Sequence, residues 1–173
     1  MKKSYVYLLT TFMLWGSLYV VSQFVLGKIP TFTVAMFRYL IAFMALSLIS
    51  LKSEKEKIEK SDYKYFFIMG FIGYFISVDC QLLGTKIAGG SMASLINSLN
   101  PVIISVMAMI ILNEKLEMNK IVGIVLSLAG VYMIIGTGAN IQFLGVLISF
   151  IAVIGWAFMS VISRKISNKY SAL

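Results

Sequence analysis

Histidine is absent from this chain, cysteine occurs once and proline twice. Without histidine there is no Ser-His or Cys-His nucleophile pair, no histidine-ligated metal or haem, and no His-containing dyad of the kind some intramembrane proteases use. The lone Cys80 forms no internal disulfide and no cysteine cluster; it leaves redox compartment open and reads as a small packing residue. Charge is also scarce: Asp, Glu, Lys and Arg make up 13% of the residues, and acids number 7 against 15 bases. An ordinary soluble domain carries about twice that charged fraction. Asp79 is the only acid well inside an apolar run, so an intramembrane enzyme would lack both a nucleophile with its base and a carboxylate pair. The expectation is a protein that is not an enzyme and calls for no cofactor and no metal.

What the chain has in abundance is apolar length. Hydrophobic residues are 60% of the 173, mean hydropathy is +0.92, and a water-soluble globule is excluded. Crossing the hydrocarbon core takes about 20 helical residues, and six runs approach or exceed that length. They are Tyr5 to Leu26, Thr33 to Leu51 with Arg38 inside, Tyr65 to about Leu83 with Asp79 inside, Ser91 to Leu112 with Pro101 in the middle, a shorter Asn119 to Gly136, and Ile141 to Ser163. Lys2 and Lys3 ahead of a charge-free run could also open a signal peptide. The run is too long for a signal core and no A-x-A-like site follows, so it is expected to remain as a membrane helix. The sequence therefore predicts an all-α polytopic membrane protein with six transmembrane helices, embedded in a lipid bilayer.

The formal charge of +8 reads as topology. Lys2, Lys3, Lys52, Lys55, Lys57, Lys60, Lys64, Lys115, Lys120, Arg164, Lys165 and Lys169 fall on one side of the six-helix path, and only Lys28 and Lys86 on the other. Loops rich in Lys and Arg stay cytoplasmic, which places both termini in the cytoplasm, presumes an even number of spans, and suits the cell (plasma) membrane. The same lysines are interleaved with Glu54, Glu56, Glu59 and Asp62 and spread over four loops, which argues against a nucleic-acid partner.

Helix four is expected to be two-sided. Ser91, Ser94, Asn97, Ser98, Asn100, Pro101 and Ser105 share one half of its wheel, and Leu95, Ile96, Leu99, Val102, Ile103, Val106 and Ile110 the other. That pattern predicts an apolar side toward lipid and a polar side toward protein or a cavity. Pro101 crowds the carbonyl of Asn97 and cannot donate to it, freeing a mid-membrane acceptor. The Asn and Ser groups either line a solute path or bond neighbouring helices across a packing kink. Arg38, about 10 Å inside the outer end of helix two, is costly unless paired or hydrated. Three roles remain open for it: an ion pair with Asp79 acting as a gate or clamp, snorkelling to the interface, or direct contact with solute. On helix three Asp79 sides with Ile72 and Ile76, away from Ser77 and Gln81. Trp15 and Tyr19 sit deep enough to line a path, whereas Tyr5, Tyr7, Tyr63, Tyr65 and Tyr170 read as an interfacial belt. Gly123, Ser127 and Gly130 in helix five, and Gly145, Ser149 and Ala152 in helix six, are expected to allow close helix approach. Glu114 reads as a solvated carboxylate beside Lys115.

Sliding helix six over helix one aligns Trp156 with Trp15, Val161 with Val20, Ile162 with Val21 and Ser163 with Ser22. Five helices are an odd unit, so a tandem repeat of it returns inverted, with a binding site between the copies near the midplane. The stretch from Gly84 to Gly136, with its Ala93 to Pro101 motif, Asn113-Glu114 and Gly130-Val131-Tyr132, resembles the second half of an EamA domain of the drug/metabolite transporter superfamily. WGSLYVVSQF and the P-x-x-x-x-x-x-F-R-Y pattern from Pro30 to Tyr39 resemble its first two helices. This resemblance implies residues 1–136 as a first five-helix repeat and 141–173 as the opening of an inverted second one. It further implies alternating-access movement of small organic solutes, such as drugs, metabolites or amino acids, without covalent chemistry. Helix one holds no embedded Glu of the kind that couples protons in small multidrug members, so no coupling ion is assigned. The implied partners are a small-molecule solute and a missing second half or a second copy in a homodimer; the alternative is a non-transporting six-helix subunit or truncated remnant. Pathway candidates are Asn97, Asn100, Pro101, Ser94, Ser98, Arg38, Trp15 and Tyr19.

Overall fold

A computed structural model describes residues 2–51, 58–114, 118–135, 142–167 and 169–170. Six helices follow the six apolar runs. The first two are α1 (Lys2–Leu26) and α2 (Thr31–Ser50). The third, α3, is one rod entered by a 3-10 turn at Lys60–Asp62; it is α-helical over Tyr63–Ile68, π-wound over Met69–Ile76 and α-helical again over Ser77–Ala88. The fourth, α4, is broken into Gly90–Asn97 and Asn100–Leu112. Last come α5 (Met118–Ile135) and α6 (Phe143–Ile166). All but α5 are long and apolar enough to cross a membrane; the 18 residues of α5 reach about 27 Å. The protein is an integral membrane protein of all-α build.

Sequence accounts for the boundaries. Pro30, with φ of −57°, caps α2 and separates it from α1. No proline interrupts α3, and its one glycine between Gly73 and Gly89, Gly84, is pressed against Ser149, so the helix continues past Leu83 and stops at Gly89, whose φ of +84° suits a residue without Cβ. The α4 break lies one turn ahead of Pro101, where the Leu99 N–H bonds the carbonyl three residues back, at Ile96. Asn113 ends α4 in the left-handed region at φ 53°, a conformation Asn tolerates better than most residues.

Most of α1 and α2 is apolar all round and exposed, as Phe12, Met13, Phe24, Phe32 and Phe43 show, and lipid is the natural solvent for such surfaces. The buried centre belongs to α6. Its Ala157 is wholly covered, and Val153 and Val161 nearly so. Along the seam with α3, small residues alternate across the contact: Gly73 faces Met159, Ser77 faces Gly155, Gly84 faces Ser149 and Ala88 faces Gly145. As numbers rise on α3 they fall on α6, so the pair is antiparallel. A Cβ on Gly84 would land on the Ser149 hydroxyl, and one on Gly145 would lie 2.6 Å from the Ala88 nitrogen. The Ser77 hydroxyl donates across the seam to the Ala152 carbonyl at 2.7 Å. The close approach expected of Gly145, Ser149 and Ala152 is thus present. That of Gly123, Ser127 and Gly130 is not: all three are exposed, and nothing lies within 4 Å of where a Cβ on either glycine would stand. The reason is that, among the described residues, α5 packs mainly against α4.

At the Lys169 end, polar groups tie α6 to α3 and α4. Lys169 Nζ lies 2.6 Å from Glu59 and 2.8 Å from Asp62, and the Tyr170 hydroxyl donates to the same Asp62 oxygen at 2.6 Å. These donors, Lys169 first, hold the Asp62 carboxyl below the ordinary carboxylate range. Arg164 pairs with Glu114 at 3.0 Å, so the partner of Glu114 is a helix-six arginine; Lys115 lies outside the described residues.

The seam generates a stability prediction. Gly84→Val, which forces two methyls and a Cβ into the Ser149 backbone, lowers stability in detergent by about 1–3 kcal/mol. Gly16→Val, in α1 where nothing lies within 4 Å, is expected to be neutral or stabilising by a few tenths of a kcal/mol, since Val is a somewhat better helix former than Gly. Thermal unfolding of both variants in the same detergent checks the contrast, and equal losses would mean that the seam is not tight.

Candidate functional site

Because α3 and α6 close tightly, the remaining helices splay around them and leave a cavity of about 130 Å³. Its wall takes Trp15, Leu18 and Tyr19 from α1, Arg38 from α2, Ser77, Val78 and Gln81 from α3, Asn97 from α4, and Ala152 and Trp156 from α6. Drug-sized pockets start at about 300 Å³, so this space suits a small solute or the head of a larger one. It is open at one side, where Trp15 is 45% exposed and Arg38 is exposed as well.

Each polar group has an identifiable cause for its position. The Trp15 ring meets Trp156 edge-on at 5.5 Å between centroids, and Trp156 in turn meets Tyr74 at 6.0 Å. Tyr19, 6% exposed, accepts a hydrogen bond of 2.7 Å from Gln81 Nε2, which leaves its own hydroxyl proton free to donate. Asn100 Nδ2 donates to Asn97 Oδ1 at 2.6 Å, turning the Asn97 NH2 away from that contact. Gln23 Oε1 accepts from the Gly90 N–H at 3.2 Å and holds α1 against the start of α4. The π-wound stretch ends just before the cavity residue Ser77, and π-bulges in helices are frequent at functional sites. Within it, the Tyr74 carbonyl accepts from the Tyr39 hydroxyl at 2.7 Å, fastening α2 to α3.

Four of the eight pathway candidates, Asn97, Arg38, Trp15 and Tyr19, line the cavity. Asn100 is buried behind Asn97, and its Oδ1 meets no donor. Ser94 is half-buried, and Ser98 and Pro101 are exposed; none of the three is on the cavity wall. The expected orientation of α4 is met only in part: Asn97 reaches the cavity and Asn100 is buried, but Ile96, Leu99 and Val102 are buried too, while Ser91, Ser98 and Pro101 face outward. Lipid competes with protein on equal terms for apolar side chains, so Ile96, Leu99 and Val102 serve as packing surface. Ser94, Ser98 and Ser105 donate to their own backbone at Ser91, Leu95 and Pro101 and need no neighbour.

The Arg38–Asp79 ion pair also needs correction. No contact within 4.0 Å joins them; among the described residues the ion pairs are those of Arg164 and Lys169. The wheel supplies the reason, since the cavity takes Ser77, Val78 and Gln81 while Asp79 stands about 100° from Val78 and about 200° from the other two. Asp79 is 9% exposed, and its Oδ1 is buried without a donor.

Sequence reading missed Ser77, Gln81 and Trp156 as site residues. Gln81 and Ser77 already shared a polar face of α3, and Trp156 already aligned with Trp15, so both signals were present.

With that geometry in view, residues 2–136 match the family model described as the EamA-like transporter family. The chain belongs to this family. It is 29% identical over 178 residues to the uncharacterized transporter YetK of Bacillus subtilis (strain 168), a match covering 98% of this chain and 54% of that protein. It is 26% identical over 177 residues to an uncharacterized transporter of Clostridium kluyveri, covering 95% and 57%, and 24% identical over 162 residues to the uncharacterized transporter YvbV of Bacillus subtilis, covering 92% and 53%. The chain therefore spans about half the length of the curated relatives it matches. No solved structure matches it.

The Tyr19–Gln81 contact bridges α1 and α3 at the cavity and is testable by a double-mutant cycle. Tyr19→Phe and Gln81→Leu are expected to couple by about 0.6 kcal/mol, the mean for interhelical hydrogen bonds in membranes. Unfolding free energies of the two single variants and the double variant measure it, and strict additivity would remove the bond from the account.

Proposed function

We propose that this chain forms one half of a transporter that carries small organic solutes across the cell membrane by alternating access, with both ends of the chain in the cytoplasm. The observation that carries the reading is the cavity. A membrane-embedded space lined by two tryptophans, a tyrosine, an asparagine, a glutamine and a lone arginine is expensive to keep in lipid and has the mix of apolar walls and few placed polar groups that solute sites use. The EamA-like family match and relatives named as transporters support the same reading. No step of it forms or breaks a covalent bond, so the chain acts as a carrier and not as an enzyme.

An inverted second copy, on a longer chain or on a second molecule, completes the site in this proposal. The Trp15–Trp156 contact supports it. These two residues occupy equivalent places in the two units, and equivalents related by a two-fold axis touch only where both stand near that axis. The outward polar face of α4, with Ser91, Ser98 and Pro101, is the surface such a copy would cover. Residues 1–136 are then the first repeat and 141–173 the start of the second.

Trp15 and Trp156 are the only tryptophans in the chain, so fluorescence excited selectively at tryptophan reports the cavity. A panel of amino acids, aromatic drugs, sugars and nucleosides is expected to contain quenchers, and those quenchers are to be tested for flux in proteoliposomes. Arg38→Gln and Asn97→Leu are each expected to reduce that flux about tenfold or more, the effect of losing a hydrogen bond to a charged or buried partner, while membrane insertion is retained. Unchanged flux in both variants would reject the cavity as the solute site.

A further inference from the structure

The cavity has a charge on its wall, and a buried acid follows one of the wall residues in sequence, but the two are apart. Among the described residues, Arg38 is the only charged side chain lining the space. Asp79 directly follows the cavity residue Val78, is nine-tenths buried, and offers Oδ1 to no donor. An ionised carboxylate left that way in the interior of a membrane protein is strongly unfavourable. It is relieved either by taking up a proton or by drawing in a cation, and the cation on the neighbouring helix is Arg38.

We propose that Asp79 and a carboxylate-bearing solute compete for Arg38, so that a proton on Asp79 frees the guanidinium to hold the solute in the cavity. This rests on the reading of the cavity as a solute site and adds to it a substrate class and a coupling ion. The balance is simple. With Asp79 ionised, Arg38 turns to it, and the pair is neutral. When Asp79 takes a proton, Arg38 keeps its own charge and the solute carboxylate neutralises it. One proton therefore enters with one carboxylate, and the net charge of the site is zero in both states. The neutral form of Asp79, with Arg38 on the cavity wall, matches the separation seen here.

The surroundings leave few competitors. Against α3 pack α1, α2, α4 and α6. From α2 come Arg38 and Tyr39, and Tyr39 bonds Tyr74 of α3 itself; from α1 comes Tyr19. Neither Gly90–Leu112 of α4 nor α6 before Arg164 contains any titratable group. On α3, Cys80 is adjacent, and Lys86 stands two turns away, about 10 Å along the axis, with its side chain exposed. The cavity itself is rich in donors, since Asn97 and Tyr19 each keep a proton to give beside Arg38, and a carboxylate accepts all three.

The test follows the infrared C=O stretch of a neutral carboxylic acid in the whole chain, reconstituted in lipid nanodiscs, as pH is raised. The other six acids lie in the polar loops, and subtraction of the Asp79→Asn spectrum isolates the band of Asp79. The proposal expects a band that titrates, and an Arg38→Gln midpoint higher by about one pH unit or more, the size of an opposite-charge effect at close range. Lys86→Gln should leave the midpoint in place. No band for Asp79 at any pH, or an Arg38→Gln midpoint equal to that of the parent, would overturn the competition. Saturating benzoate should raise the midpoint of the parent protein and not of Arg38→Gln, whereas benzyl alcohol should not move it. If Arg38→Gln shifts the band but benzoate does not, the Asp79–Arg38 competition stands, and the solute half fails together with the reading of the cavity as a carboxylate site.

Discussion

The antiparallel seam between α3 and α6 is the constraint on which the rest of the structure depends. Inside a bilayer the hydrophobic effect does not push helices together, because lipid tails and leucine side chains are equally apolar. Close contact must therefore come from shape. Gly73, Ser77, Gly84 and Ala88 on one helix and Met159, Gly155, Ser149 and Gly145 on the other supply it, with the Ser77 to Ala152 hydrogen bond at its centre. Cavity residues are interleaved with seam residues on the same two helices: Ser77 belongs to both, and Trp156 follows Gly155. Displacing the seam by the width of one methyl group would move half of the cavity wall.

The polar groups around the cavity obey a second constraint, that a donor or acceptor in a dry interior needs a partner. Most find one within the chain. Gln81 gives to Tyr19, Asn100 gives to Asn97, Tyr39 gives to the Tyr74 carbonyl, and the α4 serines return to their own helix. These bonds leave the Tyr19 hydroxyl proton, the Asn97 NH2 and the Arg38 guanidinium as donors at the cavity, with the Gln81 side-chain carbonyl oxygen as an acceptor beside them. The unspent capacity leans toward donors, and such a site favours solutes that offer several acceptors.

Much of this was legible in the sequence because a bilayer enforces simple rules. Six apolar runs became six helices, the lone prolines fell at the α1–α2 junction and the α4 break, and the wheel of α3 correctly set Asp79 apart from Ser77 and Gln81. Two readings failed for related reasons. The whole polar half of α4 was expected inward, yet of it Asn97 and Asn100 turn in while Ser91, Ser98 and Pro101 face outward, because serine hydroxyls can satisfy themselves on the preceding turn, and helical periodicity does not tell such a serine from one that needs a neighbour. Small residues were expected to mark contact in both α5 and α6. A glycine permits close approach without requiring it, and only the positions of other helices decide between Gly145, which is pressed against Ala88, and Gly123, which meets nothing. The cavity itself was only half visible, since Asn97, Arg38, Trp15 and Tyr19 came from composition and depth, whereas Ser77, Gln81 and Trp156 needed the register of α3 against α6.

The two kinds of contact also differ in how readily they yield. At the Lys169 end the ties from α6 to α3 and α4 are charge pairs whose Lys169 and Arg164 partners are largely in solvent, where such pairs contribute about 0–1 kcal/mol each and exchange readily with water. Along the seam the opposing groups are backbone and first side-chain carbons, and sliding α3 past α6 would drive Cβ atoms into main chain. Among the helices that line the cavity, the loosely attached ones are α1 and α2, held to α3 largely by Tyr19, Tyr39 and a short run of buried residues around Leu26, Ala35, Val78 and Leu82. A change of access that leaves the α3–α6 pair intact falls most easily to α1 and α2, which bring Trp15, Tyr19 and Arg38 to the site, because α4 is itself packed closely on α6.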